Sequence, residues 1–197
     1  MFRRLRKARI DSLGLQRLFR DLWFERHRSR QLVGIAYLFL ITIVGTPVAF
    51  WYWVGLPFAV LGMLVRTWAS GHVKKDKVLA TTGPYAYVRH PLYVGNHLIG
   101  FGMALASGLW WALPGWILLG LYYYPSTIRH EDAVLHRLFG KSWEAWRART
   151  MALIPRLTPY ERGQGSEWSF LQSLKVNGEP IIIAILAGCL YSLYAGI

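Results

Sequence analysis

The chain has 197 residues, 54% of them hydrophobic and ten of them tryptophan, with a formal net charge of +13. That composition suits either a greasy soluble domain or a small polytopic membrane protein, and the placement of charge decides between them. A nucleic-acid partner would need the basic residues spread over a folded soluble surface, which this chain barely has. The single cysteine, Cys189, excludes a disulfide or a Cys-x-x-Cys metal site within one chain.

Residues 1–30 hold ten Lys or Arg, and Leu15, Leu18, Phe19, Leu22 and Trp23 recur at helical spacing with Arg17, Arg20 and Asp21 between them. This predicts a basic amphipathic helix lying in the headgroup layer, as an anchor or as a gate to lipid entry. A signal peptide is not expected: the basic stretch is too long, and no small-residue cleavage site follows the first apolar run. Leu32 to Val65 contains no Asp, Glu, Lys or Arg, and neither does Pro91 to Ile128. Each run is far longer than the roughly 30 Å hydrocarbon core requires, so each predicts two spans joined by a hairpin. Gly45-Thr46-Pro47 through Gly55-Leu56-Pro57 marks the first bend, and Ser107-Gly108 the second. Between the runs, Gly71 and Gly83-Pro84 break the chain, and Arg89-His90-Pro91 starts the third span, with Pro in the first helical turn. After the fourth span a helical extension is expected through about Phe139, a stop at Gly140, and a short helix from Ser142 to about Thr150, capped by Ser142. Pro155, Pro159, Gly163 and Gly165 break the chain beyond that helix, and Ile181 to Gly196 is a short fifth span.

The expectation is an all-α polytopic membrane protein of about five spans, a single membrane-embedded domain over residues 31–197 preceded by the interfacial helix. Lys74, Lys75, Lys77 and Arg89 fall in one connection, and eight more Lys or Arg lie from Arg129 to Lys175. The other two turns carry no basic residue but hold Trp51, Tyr52, Trp53, Trp110 and Trp111, an aromatic belt. Positive charge faces the cytosol, so the N-terminus is expected inside and the C-terminus outside, with the basic balance also attracting anionic lipid. A compact chain without organelle signals suggests a bacterial inner membrane.

His90, Tyr93 and His97 fall at i, i+3 and i+7, so one helical face presents polar groups to the inner end of the bundle. Ionisable groups inside a span are costly enough to suggest function, although an Arg-His-Pro at a span start also serves as an interfacial anchor. Glu131 reads either as a helix-end carboxylate paired with Arg129 or Lys141, or as a ligand group at the mouth of the bundle. His90, His97, His130 and His136 lack the i, i+4 spacing of a zinc helix, so no metal site is expected.

Two blocks carry a family resemblance: Gly83-Pro84-Tyr85-Ala86-Tyr87-Val88-Arg89-His90-Pro91-Leu92-Tyr93-Val94-Gly95, and Glu131-Asp132-Ala133-Val134-Leu135 running on to Phe139-Gly140 and Pro155. Together they resemble the cofactor signature of the isoprenylcysteine carboxyl methyltransferases and their phospholipid methyltransferase relatives. The resemblance covers roughly residues 61–157 and departs from the pattern in having Asp132 for a second Glu and Trp143 and Trp146 for two tyrosines. It implies an S-adenosylmethionine-dependent methyltransferase acting on a lipophilic or lipid-linked acceptor. The donor pocket it implies is built by Lys77, Val78, Leu79 and Ala80, then Tyr85, then His90, Pro91, Leu92 and Tyr93, and finally Glu131. Eukaryotic prenylcysteine enzymes place an Arg one turn before that Glu; here the position is Thr127, with Arg129 and Arg66 as nearby candidates off the motif. The acceptor is therefore left open among amine, thiol, phenol and other lipid-linked nucleophiles.

Methyl transfer from a sulfonium is an in-line displacement that gains from a dry, preorganised site. Where the nucleophile is protonated a base is needed, and His97 or His130 is the local candidate. The acceptor cleft is expected near Asn96, His97 and Gly100, one to two turns deeper than the donor. Membrane reductases of the related sterol-reductase fold, using NADPH, are the alternative enzyme class, and a non-enzymatic small membrane protein is the other.

Overall fold

The computed structural model describes residues 26–72, 78–160 and 168–197, all helix and connection with no strand among them. The predicted interfacial helix around Leu15–Trp23, and Lys77 of the expected donor pocket, lie outside the described residues. The helices are α1 (Arg26–Ile43), α2 (Ala49–Ser70), α3 (Pro91–Ala106), α4 (Ala112–Phe139), α5 (Lys141–Arg147), α6 (Phe170–Asn177) and α7 (Glu179–Tyr194). By length and composition α2 can cross a membrane; Arg30–Ile43 and α7 are apolar but shorter. Large apolar side chains stay exposed on the outer faces, including Phe50, Trp53, Leu64, Leu118, Leu121 and Ile181.

The core is an α2–α3 pair pressed together along small residues. A Cβ at Gly55 would lie 2.3 Å from the Gly102 carbonyl oxygen, and one at Gly62 would lie 2.6 Å from that of Gly95. Backbones approach this closely because neither side presents a side chain, which is how apolar helices gain contact without a hydrophobic driving force. Ala59, Met63, Ile99 and Met103 fill the seam, and Leu186, Leu190 and Leu193 of α7 close it.

The first bend is shorter than the sequence suggested. The chain breaks only over residues 44–48, and Pro57 sits inside α2. Pro57 forfeits one helical hydrogen bond, but a continuous α2 keeps Gly55 and Ala59 seated on Gly102, and that packing prevails. The second bend falls where expected, with α3 ending at Ala106 and the Thr46 N–H donating to the Ser107 carbonyl at 2.9 Å.

α4 runs without interruption out of the uncharged stretch to Phe139 and stops at Gly140. Gly140 adopts φ 50° and ψ −123°, a conformation that favours glycine, and its own carbonyl opens α5 by accepting from Glu144 N–H at 3.1 Å. Ser142 is therefore not the cap of that helix: the glycine turns the chain so sharply that α5 starts at Lys141 with no side-chain cap. The α4–α5 turn folds Trp143 and Trp146 beneath the connection that precedes α3, with Trp146 Nε1 donating to the Tyr85 carbonyl at 3.1 Å. The chain after α5 straps the same connection. Arg89 N–H donates to the Met151 carbonyl at 2.9 Å, His90 N–H to Ala152 at 3.1 Å, and Arg156 N–H to Tyr87 at 3.0 Å.

Candidate active site

Because that strap holds the backbone of 86–90, the side chains at the start of α3 are aimed rather than loose. His90 is the last residue before α3, 5% exposed, with Pro91 in the first helical turn as predicted. Tyr93 lies one turn on, its ring stacked on the His90 ring at 5.4 Å between centroids. Facing them from α4, beyond the uncharged stretch, are two adjacent carboxylates. His90 Nδ1 lies 3.3 Å from Glu131 Oε2, and His90 Nε2 lies 3.2 Å from Asp132 Oδ1. The Tyr93 hydroxyl donates to Glu131 Oε1, and Arg89 NH2 donates to Asp132 Oδ2 at 3.0 Å.

A carboxylate on each nitrogen favours the imidazolium form of His90. Burial works against the charged ring, but the hydrogen bonds and charges of Asp132 and Glu131 outweigh it, and His90 titrates above the usual histidine range. The carboxylates respond in kind: burial pushes both up, but His90 and Tyr93 draw Glu131 below its ordinary value, and His90 and Arg89 do the same for Asp132. The two acids differ in exposure. Asp132 is 14% exposed and serves as the anchor, whereas Glu131 is 44% exposed and keeps free lone pairs toward the cavity.

That cavity has a volume of about 790 Å³. Of the residues expected to line a donor pocket, Val78, Leu79, Ala80, Tyr85, His90, Leu92, Tyr93 and Glu131 do so, while Pro91 is buried behind them. His130 also lines it. His97 does not: its ring packs on Tyr124 at 4.2 Å and on Trp116 at 6.4 Å. Gly100 is no open cleft, since a Cβ there would fall 1.8 Å from the Trp116 ring. No group of three or more His, Cys, Asp or Glu that could hold a metal occurs among the described residues.

Sequence reasoning gave no place in the site to Arg30, Asp132 or Glu179, and named Arg66 only as an off-motif candidate for an acceptor carboxylate. Arg30 of α1 places its guanidinium over the Tyr93 ring at 4.2 Å and the Tyr124 ring at 5.4 Å, with its NH1 buried and unpartnered. Asp132 was visible only as a motif variant. Arg66 of α2 and Glu179 of α7 also line the cavity, paired to each other across the bundle. A lone Arg or Glu at the end of an apolar run reads as an interfacial charge, and nothing local in the sequence joins two residues so far apart.

The comparisons with known proteins bear on the family of the chain. The phospholipid methyltransferase family pattern matches residues 50–142, from α2 to the start of α5. The cobalt-zinc-cadmium resistance protein CzcN of Cupriavidus metallidurans is 34% identical over 176 residues, 79% of this chain and 75% of that protein. The nickel-cobalt-cadmium resistance protein NccN of Alcaligenes xylosoxydans xylosoxydans is 33% identical over 155 residues, 70% of this chain and 69% of that protein. This chain belongs to the phospholipid methyltransferase and isoprenylcysteine methyltransferase-like family. It is 36% identical to the protein-S-isoprenylcysteine O-methyltransferase of Schizosaccharomyces pombe over 81 residues, 41% of this chain and 34% of that protein. No solved structure matches. The matched stretch holds the His90, Tyr93 and Glu131 cluster but neither Arg30 nor Glu179, so this family member draws on both of its flanks to complete the cavity.

Proposed function

We propose that the protein is an integral membrane methyltransferase that takes its methyl group from S-adenosylmethionine and gives it to a lipophilic acceptor. One observation carries the reading. Residues from two motif blocks about forty positions apart, Tyr85, His90 and Tyr93 from one and Glu131 from the other, converge on a single wall of a cavity of about 790 Å³. The volume lies in the range of small-molecule sites, about 300–1,000 Å³.

The residues present fit the donor. Its amino-acid end carries an ammonium and a carboxylate, and the cavity offers Glu131 for the first and the unpartnered NH1 of Arg30 for the second. Both are charge-assisted contacts, among the stronger available. Tyr85 supplies aromatic lining against which a sulfonium or a base can rest. When bound, the donor supplies an electrophilic methyl carbon on a positively charged sulfur. The protein's own part is positioning. His90 and Tyr93 hold the Glu131 carboxylate in one orientation, Asp132 and the strap hold His90, and the apolar lining excludes water that would compete as nucleophile. His130, which lines the cavity, takes the proton where the acceptor must lose one.

The membrane reading rests on the two uncharged stretches, on the exposed apolar faces of α2, α4 and α7, and on basic residues confined to the motif side. On it, α1, α2, α3, the uncharged part of α4 up to Ile128, and α7 are five spans. The cavity mouth faces the cytosol and the acceptor enters sideways from lipid. Titration of the purified protein with S-adenosylmethionine by calorimetry, followed by radiolabelled methyl transfer into a total lipid extract, tests the proposal. Saturable binding and a labelled lipid product are expected. Absence of binding by a folded preparation would sink it, and label appearing only in water-soluble products would overturn the lipid acceptor.

A further inference from the structure

The cavity is lined at one level by charged groups that the donor cluster leaves unused. Arg66 Nε donates to Glu179 Oε2 at 3.0 Å and its NH2 to Oε1 at 2.6 Å, while NH1 donates to Asn96 Oδ1. Asn96 also lies beside the Tyr124 hydroxyl. Glu179 is fully buried and Arg66 is 13% exposed. This belt joins α2, α3, α4 and α7.

Its place along the helices is informative. On α3 the cavity-lining residues run Tyr93, Asn96, Ile99, a turn apart; on α7 they run Glu179, Ile182, Leu186; on α1 they run Arg30, Ile35, Leu38. Each helix passes from polar to apolar in the same direction. The belt therefore separates the donor end from an apolar end, and a lipid whose tail occupies the apolar end must put its headgroup at the belt.

We propose that this belt selects the acceptor, and that the acceptor's headgroup is uncharged there: a lipid bearing a neutral hydroxyl, phenol or thiol, not a carboxylate, phosphate or ammonium. The inference rests on the methyltransferase reading above and concerns the acceptor side alone. The charge of Arg66 is already met by a bidentate carboxylate. An anionic headgroup that took Arg66 would strand Glu179 buried and uncompensated, and a cationic one that took Glu179 would strand Arg66. Removing one partner from a buried pair costs of the order of a hundredfold or more in an equilibrium constant. A neutral oxygen or sulfur imposes no such penalty. Three of the five guanidinium N–H groups are used, so two remain to donate to it with the pair intact.

The test uses the full chain in nanodiscs of uncharged lipid, with empty discs as the partition control. Dodecanol, dodecanoate, dodecyl phosphate and dodecylamine are titrated against intrinsic fluorescence, since Trp116 and Trp146 line the cavity. Dodecanol is expected to bind at least about tenfold more tightly than the three charged probes. Glu179→Gln frees Arg66 and should raise dodecanoate affinity relative to dodecanol at least about tenfold. Wild-type protein that binds dodecanoate or dodecyl phosphate as well as dodecanol overturns the proposal, and so does a folded Glu179→Gln chain with an unchanged ranking. The wild-type ranking needs no variant, so it decides the matter even if Glu179→Gln fails to fold. Failure of the donor to bind at all counts against the methyltransferase reading, not against this ranking.

Discussion

Replacing Glu131 by Gln removes one negative charge from the cavity wall and almost no volume. The native carboxylate accepts from the Tyr93 hydroxyl on Oε1 and faces His90 Nδ1 at 3.3 Å on Oε2, leaving one lone-pair site on each oxygen for a ligand. A glutamine can still accept from Tyr93, but its amide nitrogen then points at a ring nitrogen that is itself a donor. A charge-assisted hydrogen bond to the donor's ammonium contributes about 1.5–3 kcal/mol when shielded. Because the Glu131 side chain is 44% exposed, water screens part of this, and the lower half of the range applies. The expected loss is therefore roughly ten- to fortyfold in affinity for S-adenosylmethionine. Stability should fall little, since Asp132 continues to hold His90 through Nε2 at 3.2 Å. Calorimetric titration of wild-type and variant protein, with matched melting curves as the folding control, measures it. A Kd unchanged within twofold in a folded variant would remove Glu131 from the donor site and with it the central argument about the cavity.

Asp132→Asn should show the opposite balance, a larger drop in melting temperature than Glu131→Gln, because the 14%-exposed Asp132 anchors both Arg89 and His90; equal or smaller destabilisation would contradict the anchor role. The pH dependence is set by the directions of the shifts. The raised pKa of His90 contributes stability that is complete below the ordinary histidine value near 6.5 and is lost as pH rises through the higher folded value. The lowered pKa values of Glu131 and Asp132 contribute stability that is present above the ordinary carboxylate values near 4 and is lost as pH falls through the lower folded ones. Melting temperature in detergent should thus peak between about pH 4.5 and 6.5 as far as this cluster governs it; a difference between wild type and His90→Phe that does not vary with pH would refute the cluster's role. Gly102→Leu should disrupt the α2–α3 seam, since even a Cβ there lies 2.5 Å from the Ala59 nitrogen, and a variant that melts like wild type would show that the seam does not hold the bundle. Cysteine introduced at Trp110, 86% exposed in the α3–α4 connection, with Cys189 first replaced, should label from the outer face; labelling from the cytosolic face alone would overturn the proposed topology.

The helical class, the break at Ser107-Gly108, the stop at Gly140 and the Pro91 helix start were legible in the sequence because each depends on a few neighbouring residues. An uncharged run, a glycine free to take positive φ or a proline without an N–H acts locally, whatever the rest of the chain does. The spacing of His90 and Tyr93 was legible as well, but His90 precedes the helix with φ −122° and ψ 65°, and the strap sets its ring. Pro57 shows where local signals fail: read alone it ends a helix, yet the seating of Gly55 and Ala59 on Gly102 keeps α2 running through it. The other half of the site was decided by tertiary structure. Glu131 could equally have paired with Arg129 or Lys141 at the surface, and only the packing of α4 against the strapped connection turned it to His90 and Tyr93. Arg30 and the Arg66–Glu179 pair were hidden for a stronger reason. A single ionisable group at the end of an apolar helix has the same sequence pattern whether it faces lipid headgroups or a cavity, and its energy depends on which partner the fold brings within about 3 Å.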